Sequence, residues 1–286
     1  MINKGGPAPP LLWQRGPWAD MAKRWARYFA PKEPIPGRIH ISTSTVAVAG
    51  ILVGWSTLTY GGLVNPIFLP SPSEVLRAAH KMAANGSLWV DMQASVFVIL
   101  AGYLLSTIIA VPVGIVMGSF RIVEALIEPI TGFVRYLPVS AMIPLLILWI
   151  GIDWKEKVAV IFIGTFFQQV ILIADVSANV SKDLVDVSYT LGAGRGDVVS
   201  RVLIPATLPG VVDNLRITMG WAWTYLVVAE LVAADQGLAY MILNSMRGLH
   251  TDRIFVGILV IGLLGIMTDQ LFKLLHRTCL PWSPRT

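Results

Sequence analysis

Runs of about 20 mostly apolar residues, enough to cross a hydrocarbon core about 30 Å thick, recur six times along the chain. They cover residues 43–63, 94–120, 130–152, 158–178, 217–234 and 254–274. The pattern predicts an all-α polytopic membrane protein with six transmembrane helices. Ahead of the first run, WADMAKRWARYFA (residues 18–30) places Trp18, Met21, Ala22, Trp25, Tyr28 and Phe29 on one helical face. Lys23, Arg24 and Arg27 fall on the other. Such a face suits a helix lying in the membrane interface, although an ordinary amphipathic helix packed on protein has the same pattern. The stretch NPIFLPSPSEVLRAA (residues 65–79) reads as an outer loop turning at Pro66, Pro70 and Pro72, with Ser73 able to cap a short helix starting at Glu74. Three segments result: an N-terminal segment with the interfacial helix (1–42), a transmembrane domain (43–275) and a C-terminal tail (276–286).

Composition agrees with a membrane chain. The sequence is 55% hydrophobic and 14% charged, whereas soluble domains carry about 25% charged residues. The formal charge of +5 raises nucleic acid as a partner, and the distribution of basic residues decides against it. With the N-terminus in the cytoplasm, only Arg77, Lys81, Lys155, Lys157, Arg247 and Arg253 of the 22 basic residues lie on the outer side. The bias predicts cytoplasmic N- and C-termini. The first forty residues, basic and proline-rich without an apolar core, predict no secretory signal. Cys279 has no second cysteine to pair with, which excludes a disulfide framework and a CxxC metal site. His40, His80, His250 and His276 are scattered and form no metal set, and no nucleophile–base–orienter triplet can be argued, so no catalytic residue is expected.

The stretch YTLGAGRGDVVSRVLIPATLPG (residues 189–210) carries Gly192, Gly194 and Gly196 within five positions. A phosphate-binding loop needs GxGxxG after a strand, or GxxxxGK followed by Ser or Thr. GAGRGD has neither, and its neighbours are membrane helices. The alternative is a docking protrusion on the basic side of the membrane. A helix over residues 184–191 ends at Gly192, which permits a left-handed turn or a close backbone approach. A second short helix over residues 197–204 starts at Asp197, and Pro205 and Pro209 stop regular structure before the fifth span.

These residues resemble the signature of binding-protein-dependent ABC importer permeases: EAA, three residues, Gly, nine residues, then I-x-L-P. Asp186, Val187 and Ser188 stand at EAA, Gly192 at the glycine, and Val202, Ile204 and Pro205 at the I, L and P positions. The spacing is kept while Asp replaces Glu, and Val and Ser replace the alanines. FLPSPSEVL (68–76), EPITGFVRYLPVSAMIPLLILWIGI (128–152) and WTYLVVAELVAADQGLAYMI (223–242) resemble the nitrate, sulfonate, taurine and bicarbonate branch of these permeases. The resemblance implies a homodimer with a central path, and a coupling helix seated on a cytoplasmic ATPase. It also implies an extracytoplasmic binding protein that docks on the outer loops near residues 65–79 and 235–253. Asp186, Ser188, Leu191, Gly192, Ala193, Arg195 and Pro205 are the expected coupling residues. The chain would hold no cofactor and catalyse no reaction, ATP and Mg being bound by the partner. A small polar solute is implied, of the taurine, sulfonate, nitrate or bicarbonate type, or a urea- or guanidine-like compound. A secondary transporter without an ATPase has a similar topology, but it tends to show internal repeats and paired ionisable groups at mid-membrane. No repeat relates the two halves here. A membrane scaffold is the third class, and it would need no particular polar residue in the spans.

Polar residues inside the spans are the candidates for a translocation path. Glu230 lies in TYLVVAELVAA, where a carboxylate must face protein or water. It either lines the path or is hydrogen-bonded near the outer end of the fifth span. Arg135, in GFVRYLP, either attracts an anion, pairs with a carboxylate, or anchors its helix by snorkelling. Of Gln168 and Gln169, one can face a path while the other bridges helices. Trp223 either shapes the path or packs. Gly114 and Gly118 after Pro112 form a small-xxx-small pair suited to close helix packing.

Overall fold

The computed structural model describes residues 36–283, and among them the regular elements are all helices. The chain divides into two compact units, residues 1–63 and 64–286. The interfacial helix expected at residues 18–30 lies outside the described residues. The first unit contains α1, Gly37–Tyr60, a helix of 24 residues of which none is buried. At 1.5 Å per residue it is about 36 Å long, sufficient for a bilayer. It begins at Gly37 rather than at residue 43, because nothing in RIHISTS breaks a helix.

The second unit runs α2 (Pro72–Ala84), α3 (Ser87–Ser119), α4 (Arg121–Val134), α5 (Val139–Ile150), α6 (Trp154–Ala178), α7 (Lys182–Thr190), α8 (Ile204–Ala233), α9 (Leu238–Arg247) and α10 (Thr251–Cys279). Across both units, five helices are long and apolar enough to cross a membrane: α1, α3, α6, α10 and the continuous helix Arg195–Val232 that contains most of α8. A sixth span exists only if α4 and α5 are taken together, and they are bent by 92°. The straight third span expected at residues 130–152 is therefore corrected to a broken one. Pro138 lies at the break; it lacks an N–H and forces Leu137 out of helical geometry. The high mean hydropathy of the window hid the break.

Two further boundaries differ from expectation. Helix α2 is capped by Ser71 rather than Ser73, with Pro72 in its first turn. The Ser71 N–H donates to Glu74 Oε2 at 2.7 Å, and Ser71 Oγ donates to the same oxygen at 2.9 Å. Those bonds, the backbone one foremost, hold the Glu74 carboxyl below its ordinary range. Nor do Pro205 and Pro209 stop regular structure. Helix runs from Arg195 through a wide π-helical turn at Val198–Leu203 into α8. The wide turn precedes Pro205, in the first turn of α8, where the missing N–H and ring bulk are tolerated. Pro209 is carried inside the helix.

The core of the second unit is built around α3, α6 and α8. On α3 three glycines, Gly102, Gly114 and Gly118, lie at close approaches to α6. A Cβ built on Gly102 would lie 2.8 Å from Ile161 Cβ and one on Gly114 2.7 Å from Ile173 Cβ, while one on Gly118 would collide with the Ala174 carbonyl oxygen. Such contacts let two backbones touch where hydrophobic burial gives no drive between helices in lipid. Tyr103, 2% exposed, packs there with Ile99, Ile161, Ala222, Trp223 and Leu226. Its hydroxyl donates to the Leu215 carbonyl at 2.6 Å and lies 2.9 Å from Thr218 Oγ1. Ser119 and Ser177 (3.0 Å) and Asn214 to the Leu172 carbonyl (2.8 Å) extend this polar ladder between helices.

Candidate functional site

Three places gather the residues singled out by the sequence. At the first, none of the nine residues of α7 is buried. Gly192 follows it at φ +85. Its N–H donates to the Tyr189 carbonyl (3.0 Å) and the Ala193 N–H to the Ser188 carbonyl (3.0 Å). That pair of bonds, with a left-handed glycine, is a Schellman cap. The glycine loop is thus a helix terminus, not a phosphate cradle. Ser188 Oγ turns back to the Leu184 carbonyl at 2.7 Å and Thr190 Oγ1 to the Asp186 carbonyl at 2.8 Å. Asp186 and Arg195 are exposed, Ser188, Ala193 and Pro205 half-buried. Leu184, Val187, Tyr189 and Leu191 are all exposed, Leu191 to 82%. Exposed apolar side chains on a short helix of this kind are suited to contact with a partner surface.

The second place is a cavity of about 310 Å³ at the bend between α4 and α5. It brings together Arg135, Tyr136 and Ser140 from the bend, Gln168 from α6, and Thr224 and Tyr225 from α8. Arg135 caps α4; one Nη donates to the Tyr136 hydroxyl at 2.9 Å, and the guanidinium lies 4.8 Å from that ring's centre. Tyr225 lies flat enough against Gly164 that a Cβ there would be 2.6 Å from its ring. Among the described residues lining the cavity, Arg135 is the sole ionised group and the remaining polar ones are hydroxyls and one amide. Bundled with the apolar walls of Val160, Ile163 and Val228, it can receive an anion of modest size.

Gln169, by contrast, is buried. It accepts from Ser106 Oγ at 2.8 Å and donates to Thr107 Oγ1 at 3.3 Å, tying α6 to α3. Trp223 is in the core, its indole N–H 3.3 Å from Thr268 Oγ1 on α10. Neither lines the cavity.

The third place is Glu230, 1% exposed near the end of α8. Ser95 Oγ donates to its Oε1 at 2.6 Å and the Ala239 N–H to its Oε2 at 2.8 Å. The Leu238 N–H donates to Ser95 Oγ (2.8 Å) and the Gly237 N–H to Asp91 (3.1 Å). These are the free amides at the start of α9, so Asp91, Ser95 and Glu230 together cap that helix and latch it to α3 and α8. Gly237, at φ +125, sits so close that a Cβ would be 2.5 Å from the Glu230 carboxylate. Glu230 does not border the Arg135 cavity. Ser95, Asp91 and Gly237 were not signalled by the sequence, except that a glycine before LAYMI marks a helix start. The buried Glu156 and Lys157 in the first turn of α6 were also passed over.

The comparisons with known proteins give a role to this set of apolar helices with an exposed short helix between two spans. Residues 110–279 match the family of binding-protein-dependent transport system inner membrane components, and the chain belongs to that family. A probable ABC transporter permease of Brucella abortus is 37% identical over 81% of this chain and 92% of its own length. The taurine transport system permease of Escherichia coli is 31% identical over 87% of this chain and 92% of its own. The inward-facing MetNI methionine ABC transporter shares the fold, with a TM-score of 0.54 at 17% identity over 63% of this chain and 92% of that one. Membership makes the chain an ABC transporter permease, a transport component of a membrane, and sets the secondary-transporter and scaffold readings aside.

Proposed function

We propose that two copies of this chain form the path of a binding-protein-dependent importer for a small sulfonate of the taurine class. In this reading α7 and its Gly192 cap seat in a separate cytoplasmic ATPase, which binds the ATP and Mg. Both termini then lie in the cytoplasm, and a binding protein delivers solute to the outer loops.

The observation that carries the substrate class is the Arg135 cavity. A sulfonate carries one delocalised negative charge and only acceptor oxygens. It is complemented by a guanidinium, hydroxyls and an amide, and it would be repelled by a carboxylate, of which the lining described above has none. The taurine permease of Escherichia coli supports the same class. The exposed Leu184, Val187, Tyr189 and Leu191 support the ATPase seat. ATP closure of the ATPase would draw the two α7 helices together. Because helix is continuous from Arg195 into α8, that movement is delivered to Tyr225 and Thr224 at the cavity.

The test is ATP hydrolysis by the reconstituted permease, ATPase and binding protein, given taurine, alkanesulfonates, nitrate, bicarbonate, urea or guanidine in turn. Stimulation by taurine or an alkanesulfonate is expected, and Arg135→Gln should lower it about tenfold, the worth of one charge-assisted contact. Stimulation by urea or guanidine alone, or an unaffected Arg135→Gln, would contradict the sulfonate path.

A further inference from the structure

A cavity of about 660 Å³ is none of these places. It opens between α8 and the end of α10, and Asp213, Arg216, Lys273, His276 and Arg277 contribute its charged and titratable side chains. Asp269 is shared by Arg216 Nε at 3.4 Å and Lys273 Nζ at 2.6 Å. Three fixed cations therefore stand against the two carboxylates of Asp213 and Asp269. His276 is 9% exposed, and its Nε2 is buried with no hydrogen-bond partner among the described residues. A buried imidazole nitrogen left in this way costs free energy unless a partner arrives.

Favourable interaction with a helix C-terminus accounts for cations in the last turn of α10. It accounts neither for Arg216, brought in from α8, nor for the cavity itself. The position adds a further constraint. An exposed apolar stripe of α10, with Leu263, Ile266, Leu271 and Leu274, runs up to the cavity, and Trp282 is exposed just beyond it. Apolar side chains giving way to cations and a tryptophan mark the depth of lipid headgroups.

We propose that this cavity binds a phosphate group, supplied by the headgroup of an anionic phospholipid whose acyl chains lie along the α10 stripe. Arg277 and Lys273 meet the phosphate oxygens, and His276, carrying its proton on Nε2, donates a hydrogen bond to one of them. The inference is independent of the transported solute and of the ATPase.

The full-length protein, stripped of lipid in a neutral detergent, is given equal phosphatidylglycerol and phosphatidylcholine with the same acyl chains. Native mass spectrometry then counts the lipid retained. Phosphatidylglycerol should be preferred, and Arg277→Gln should reduce the preference about fivefold, the worth of one cation near a headgroup. Arg277 is exposed, so its melting temperature in detergent should not move. His276→Gln is the second variant and should weaken the preference as well. Equal retention of the two lipids, or an unchanged preference in both variants, overturns the proposal. Displacement of bound phosphatidylglycerol by inorganic phosphate overturns the lipid source and assigns the cavity to a soluble anion.

Discussion

The α3–α6 seam and the α7–Gly192 loop are both rich in glycine, yet they use it in opposite ways. Along the seam Gly102, Gly114 and Gly118 are places where no side chain fits, because the neighbouring helix occupies the space. In the loop nothing lies within 4 Å of a Cβ built on Gly192 or Gly196, and Gly194 meets only Asp197 Oδ2 at 3.6 Å. Gly192 is needed for its backbone angle, and the surface around it is left open. Glycine in the seam fixes helices against one another; glycine in the loop sets a backbone turn on an exposed surface. Under the coupling proposed above, the seam would supply the stiff bundle and the loop the free contact surface.

One substitution made in both regions separates them most sharply. Gly118→Val should prevent recovery of folded protein, or destabilise it by about 3 kcal/mol, because the new side chain meets the Ala174 carbonyl. Gly194→Val, at an extended φ of −76, should move the melting temperature of the detergent-solubilised chain scarcely at all. A similar loss in both would erase the distinction. The next largest effect is expected at Gly237→Ala, where a strained φ and contact with the Glu230 carboxylate combine to about 2 kcal/mol. Hydrogen exchange should show it as opening of α9 before the seam.

A smaller loss than at Gly237 is expected at the α2 cap. The lowered pKa of Glu74 stabilises the fold fully above the ordinary value of 4.5, and that contribution is lost as pH falls through the lower folded value. Glu74→Gln should cost less than about 1 kcal/mol and flatten the acid limb of the melting curve.

How much of this was legible depended on how local each feature is. The spans, the small-residue pair Gly114 and Gly118, and the end of α7 at Gly192 follow from spacing within a few residues. The break at Pro138 was harder, since EPITGFVRYLPVSAMIPLLILWI is apolar enough on average to read as one span and hydropathy carries no direction. The mistaken stop at Pro205 came from reading proline as a terminator where a π-helical turn lets the helix continue. The cap of α9 was beyond reach: Ser95 lies 135 residues from Glu230, and no local pattern joins them. The cavity had the same character. Arg135 and Gln168 were chosen singly, and only the fold sets them beside Tyr225.

The central claim is that α7 and its cap receive the ATPase, and Leu191→Asp tests it most directly. Leu191 is 82% exposed, so the isolated variant should melt within about 0.5 kcal/mol of the parent. Capture of the cognate ATPase by the variant in nanodiscs should fall at least about tenfold, as for a central interface residue. An unchanged melting temperature with weakened capture is the predicted result. Undiminished capture by a well-folded Leu191→Asp would contradict the account.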